Sequence, residues 1–121
     1  MSIPITIVDD SSLSRKLMIK ALPPDWEVEV TQAANGVEAL NACRVGKAHV
    51  MFLDLTMPVM DGYEVLEHLK REGLDSFVIV VSADIQPKAQ ERVQSLGAIA
   101  FIKKPVSTEQ VGKILKDYGI L

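Results

Sequence analysis

Four short apolar runs punctuate the chain: Ile3–Val8, Val50–Leu55, Phe77–Val81 and Ala98–Ile102. They are rich in Val, Ile and Phe with little alternation, the mark of strands buried on both faces. A fifth stretch, Glu27–Thr31, sets Glu27, Glu29 and Thr31 against Val28 and Val30, which predicts an edge strand with one wet face. Helical spacing fills the intervals. Leu13, Leu17 and Ala21 mark the apolar face of a first helix, opened by Ser11 or Ser12 and closed by Pro23-Pro24. Val37, Leu40 and Cys43 mark a second, ending at Gly46, and Val65, Leu66 and Leu69 a third, ending at Gly73. Ala89, Val93 and Leu96 mark a fourth, with Pro87 in its first turn and Gly97 at its end. Val111, Ile114, Leu115 and Tyr118 mark a fifth, after a Ser107-x-Glu109 opening.

Strand then helix, five times over, predicts a parallel α/β sheet covered on both faces. A closed barrel needs eight such units, so the sheet is open. The composition agrees. A chain of 121 residues, 48% hydrophobic, buries a core without staples and is expected to fold as one domain with no second domain inside it. The single cysteine, Cys43, excludes an internal disulfide and fits a reducing compartment. A net charge of −3 with scattered bases argues against nucleic-acid contacts. No run is long enough to span a bilayer, and Asp9-Asp10 interrupts the N-terminal apolar stretch where a signal peptide needs its cleavage site. The expectation is a soluble, cytoplasmic protein that contacts no membrane.

In open parallel sheets, ligands bind beyond the carboxyl ends of the strands. Those ends carry Asp9-Asp10, Asp54, Ser82 and Lys103-Lys104-Pro105. Alone, each has an ordinary explanation: Asp10 as a helix cap, Ser82 as a strand terminator, Lys104 as a solvated lysine. Asp54 fits less easily, because it breaks the apolar run Val50–Leu55, where an unpaired carboxylate is costly. Carboxylates gathered on one rim repel each other unless a cation sits among them. Neither His49 nor His68 falls there, nor does Cys43, so the donors are all oxygen. That set predicts Mg²⁺, with Mn²⁺ as the alternative. Lys104 adds a positive charge and Ser82 a hydroxyl for a phosphoryl group.

These residues resemble the response-regulator receiver domain of the CheY-like type, over essentially the whole chain, 1–121. The matching pieces are Asp9-Asp10, Asp54 followed by Met57-Pro58-Val59-Met60-Asp61-Gly62, Ser82-Ala83, and Lys104-Pro105. The resemblance implies a flavodoxin-like doubly wound (βα)5 fold with a five-stranded parallel sheet in the order 2-1-3-4-5. It implies a phospho-aspartate switch of two-component and chemotaxis signalling, one that assists its own phosphorylation and dephosphorylation and is not an enzyme acting on a separate substrate. Asp54 would accept the phosphoryl group from a sensor histidine kinase or phosphotransfer protein. Asp10, Asp54 and the backbone carbonyl of Thr56 would hold Mg²⁺, with Asp9 acting through bound water. Lys104 would pair with the phosphoryl group, and Pro105 would follow a cis bond that aims it. Ser82 and Phe101 would form the switch pair. Thr56 and Asp84 occupy positions that tune loss of the phosphoryl group.

The same resemblance implies that partners read the fourth helix, last strand and fifth helix, including Lys88, Glu91, Arg92, Lys103 and Val106. The reader is a downstream effector protein or a tethered output domain, and the chain a monomer or a phosphorylation-dependent dimer. Ser82 stands where Thr is commoner, Phe101 where Tyr is frequent, and Val106 where Phe often follows Lys-Pro. A metal-dependent phosphohydrolase on the same carboxylates is the alternative, but no histidine is placed as its acid or base. A flavin or nucleotide carrier would need a Gly- or Ser/Thr-rich phosphate cradle where Asp9-Asp10 stands.

Overall fold

The computed structural model describes residues 2–83 and 86–121. Strands β1 (Ile3–Val8), β2 (Val28–Ala33), β3 (Val50–Leu53), β4 (Phe77–Ser82) and β5 (Ala100–Lys103) alternate with helices. These are α1 (Ser12–Lys20), α2 (Gly36–Arg44), α3 (Gly62–Glu72), α4 (Pro87–Ser95) and α5 (Thr108–Asp117). Neighbouring strands are all parallel, in the order β2-β1-β3-β4-β5. This is the flavodoxin-like α/β fold anticipated above.

The apolar runs look uniform because both faces of the sheet are covered. Within β3, Val50 and Phe52 join Met18 of α1 and Val111 and Leu115 of α5, while Met51 and Leu53 join Leu40 of α2, Val65 and Leu66 of α3 and Val93 of α4. The period of two is present, but neither face is polar. At the edge, Glu29 and Gln32 of β2 stay exposed.

Helix ends follow local chemistry. The Ser11 hydroxyl accepts from Ser14 N at 3.2 Å and Asn35 Oδ1 from Glu38 N at 2.9 Å. Asp61 with Glu64, and Ser107 with Gln110, form reciprocal capping boxes. The partner in the last is therefore Gln110 rather than the Glu109 of the anticipated opening.

Further expectations change. Val37 and Tyr118, anticipated on apolar helix faces, are 42% and 49% exposed. β3 stops at Leu53 and β5 reaches Lys103, so Asp54 and Lys104 each stand one residue beyond a strand. In α1, Leu13 and Leu17 are 65% and 52% exposed, not core. The buried row is Met18, Ala21 and Leu22, at i, i+3 and i+4, one residue around the helix from Leu17. Trp26, from the α1–β2 connection, packs edge-on to Phe52 with centroids 6.5 Å apart and takes core space that a leucine row was expected to fill.

Candidate functional site

Sheet hydrogen bonding runs one residue past the strands at their carboxyl ends. Asp9 N donates to Ala33 O and Asp54 N to Val8 O, both at 3.0 Å. Ladder register therefore sets the spacing of two carboxylates on adjacent strands. Oxygens of Asp9, Asp10 and Asp54 all lie within 4.8 Å of one another, with Asp9 and Asp54 buried and Asp10 exposed. Asp9 Oδ1 accepts from Ser11 N at 2.9 Å, a local turn that leaves the capping of α1 to Ser11 and not to Asp10.

Lys104 enters from β5. Its main-chain N donates to Ser82 O at 2.9 Å, and its Nζ donates to Asp9 Oδ2 at 2.8 Å and lies 3.6 Å from Asp54 Oδ1. The ammonium is thus an internal counter-ion. Burial raises the pKa of Asp54, and the Asp9 charge adds to that, while Lys104 opposes it. Burial also works to lower the pKa of Lys104, but the hydrogen bond to Asp9 and the charges of Asp54 and Asp9 outweigh it and hold the lysine above its ordinary value. One lysine does not neutralise three carboxylates. A dense, all-oxygen anionic set that keeps one member's pKa raised has the chemistry to hold a hard divalent cation.

The other anticipated residues are distributed around this centre. Ser82 ends β4 and is buried. Phe101 is half-buried, in register with Val80, and packs on the α2–α3–α4 side. Thr56 is exposed in the β3–α3 connection, and the Lys104–Pro105 peptide is cis. Asp84 lies outside the described residues. His49 sits at the opposite end of the sheet, edge-on to Phe77, and His68 is on α3, 3.7 Å from Glu72. Cys43 is a half-buried free thiol on α2.

Three features escaped the sequence reading. Gly62 opens α3 so close to the end of β3 that a Cβ there would stand 2.5 Å from Asp54 O. Gly36 likewise lets Met60 pack against the start of α2, since its Cβ would meet Met60 Cγ at 2.7 Å. Arg15 donates from Nη1 to the main-chain oxygen of Asp9 at 2.7 Å. The available signal for the last was a cation in the opening turns of a helix, against the dipole. Beside the carboxylates opens a cleft of about 410 Å³, mostly apolar, whose lining includes Leu17, Met18, Phe52, Val81, Pro105 and Val106. Among the described residues, no helix is long and apolar enough to cross a membrane.

Comparison with known proteins gives concordant matches. A family model described as the response regulator receiver domain matches residues 5–116. The protein-glutamate methylesterase/protein-glutamine glutaminase of Clostridium acetobutylicum is 36% identical over 118 residues, 95% of this chain and 34% of that protein. The Vibrio cholerae chemotaxis protein CheY4 superposes with a TM-score of 0.85 at 26% identity, covering 97% of this chain and 98% of that one. The response regulator domain of Thermotoga maritima CheB gives 0.82 at 25% identity, covering 100% and 99%. The chain spans about a third of the length of the curated relatives it matches.

Proposed function

The chain belongs to the response regulator receiver domain family, whose members are phosphoacceptor switches, and we propose that Asp54 is the phosphoryl acceptor of this one. The observation that carries this reading is the convergence of Asp9, Asp10 and Asp54 with Lys104 Nζ on one rim. One Asp54 carboxylate oxygen attacks the donor phosphorus while the bond from phosphorus to the leaving imidazole nitrogen of a phosphohistidine breaks. Asp54 becomes an acyl phosphate, and the imidazole leaves on its kinase or phosphotransfer protein. Asp10, Asp54 and the Thr56 carbonyl, with Asp9 beside them, would hold Mg²⁺, which would supply charge neutralisation for the phosphoryl oxygens.

The remaining steps belong to side chains. Lys104 exchanges its contact with Asp9 for one with a phosphoryl oxygen, and the Ser82 hydroxyl donates to another. That displacement of Ser82 frees space for Phe101, coupling the site to the surface of α4, β5 and α5. An effector, tethered or separate, reads that surface at Lys88, Glu91, Arg92, Lys103 and Val106. Thr56 and Asp84 stand at positions that tune how long the acyl phosphate lasts. Sustained hydrolysis of phosphate esters is not part of this reading, because His49 packs on Phe77 and His68 pairs with Glu72, so neither histidine serves the carboxylates as an acid or base for a free substrate.

Intact-mass measurement after incubation with a small acyl-phosphate donor tests this. The expected result is one added phosphoryl group, dependent on Mg²⁺ and absent from Asp54→Asn. An adduct of equal yield in Asp54→Asn would assign the acceptor elsewhere and overturn the reading.

A further inference from the structure

Arg15 stands where helix electrostatics argue against it. It lies four residues past the Ser11 cap of α1, in a segment with no acidic residue in its first turn, where the dipole is positive and a cation is disfavoured. Its side chain has two definite partners. Nη1 donates to the main-chain oxygen of Asp9 at 2.7 Å, and Nε donates to Gln32 Oε1 at 2.9 Å. Gln32 lies on β2, opposite Ile7 of β1. The guanidinium therefore bridges from helix to neighbouring strand across the β1–α1 turn, holding the one carbonyl that lies between the two adjacent aspartates.

That carbonyl belongs to the Asp9–Asp10 peptide, so fixing it fixes the plane from which the Asp10 side chain departs. The Asp9 carboxylate is secured separately, by Ser11 N and Lys104 Nζ. We infer that Arg15, oriented by Gln32, is a positioning residue for the cation site: it holds the Asp9–Asp10 peptide so that the Asp10 carboxylate faces Asp54. This rests on the reading of Asp9, Asp10 and Asp54 as the cation site. It assigns Arg15 a geometric role, not merely an electrostatic one. A cation beside a cation site repels the ion, so a purely electrostatic Arg15 would weaken binding, whereas a positioning Arg15 strengthens it. Only a planar fork reaches both partners from one head group, so lysine keeps the charge and loses the geometry.

Titration of the metal-free protein with Mg²⁺ by calorimetry, joined to amide hydrogen exchange without metal, separates these roles. Arg15→Lys is expected to weaken Mg²⁺ binding by about tenfold, as loss of an outer-shell partner does. Gln32→Leu acts in the same direction by less, and the double variant is no weaker than Arg15→Lys alone. Exchange at the Asp10 and Ser11 amides quickens in both variants while the amides of β3 and the thermal midpoint hold. Wild-type affinity in Arg15→Lys and Gln32→Leu, or tighter binding in Arg15→Gln, overturns the inference. So does a loss of protection spread evenly over the sheet, which would make Arg15 a general structural tie. If the wild type binds no Mg²⁺ at all, the site reading beneath the inference fails instead.

Discussion

At the amino-terminal rim of the sheet, α2, α3 and α4 hand over to the next strands through Gly46, Gly73 and Gly97, whose φ values are 78°, 66° and 105°. Each takes the left-handed conformation that ends a helix at least cost to a residue without a Cβ, and an added Cβ would meet nothing within 4 Å. The carboxyl-terminal rim is built differently. There Val59, a β-branched residue, takes φ 68° while 85% exposed, and it is the only described non-glycine residue with a positive φ. The same rim buries Asp9, Asp54 and Ser82 and packs Gly62 against the Asp54 carbonyl. One rim is arranged for stability, and the other keeps strain and desolvated charge beside the chemistry.

Steric tests separate the rims most widely. Gly62→Ala should destabilise the protein by about 3 kcal/mol, because its Cβ meets backbone that cannot move aside without moving Asp54. Gly73→Ala should lose only about 1 kcal/mol, since strain is its one penalty. Urea unfolding of the two variants checks this, and equal losses would erase the distinction.

A smaller effect is expected at Val59. Val59→Asn should gain about 1 kcal/mol, because asparagine tolerates the left-handed region and the exposed valine gives up no packing. Thermal melts read this directly, and a loss of stability would mean that Val59 makes contacts its exposure does not reveal.

The smallest effect is electrostatic and depends on pH. The raised pKa of Asp54 means that folding favours its neutral form. Its favourable contribution is complete below the unfolded-state pKa of about 4 and is lost as pH rises through the folded value. Without Mg²⁺, Asp54→Asn should therefore match the wild type in acid and become the more stable protein by pH 7. Chemical denaturation in EDTA at both pH values measures the gap. A gap that closes with rising pH would contradict the burial of this carboxylate.

Asp9, Asp10, Asp54 and Lys104 were legible because parallel strands put all their carboxyl ends on one rim, so the ends of three strands far apart in sequence shared a destination. Asp54 was legible for a further reason, as a charge inside an apolar run. Leu13 and Leu17 misled because helical spacing defines a row of side chains but not which row faces the sheet. Met18 and Leu22 offered nearly the same spacing, and the Trp26 ring, arriving from the next connection, occupies the core beside them. Arg15 and Gln32 lie 17 residues apart, on elements whose separation only the β1–β2 register determines.

The order of elements, the two-faced burial of the strands and the identity of the acidic rim are properties of the sequence alone, since each follows from short-range periodicity and side-chain chemistry. Tertiary structure alone decided that Lys104 is the internal counter-ion of Asp9 and Asp54, that Gly62 lies against the Asp54 carbonyl, and that Arg15 clasps the Asp9–Asp10 peptide. Those facts are distances of a few ångströms between residues on different elements, and ladder register and helix rotation set such distances only once the whole sheet has formed.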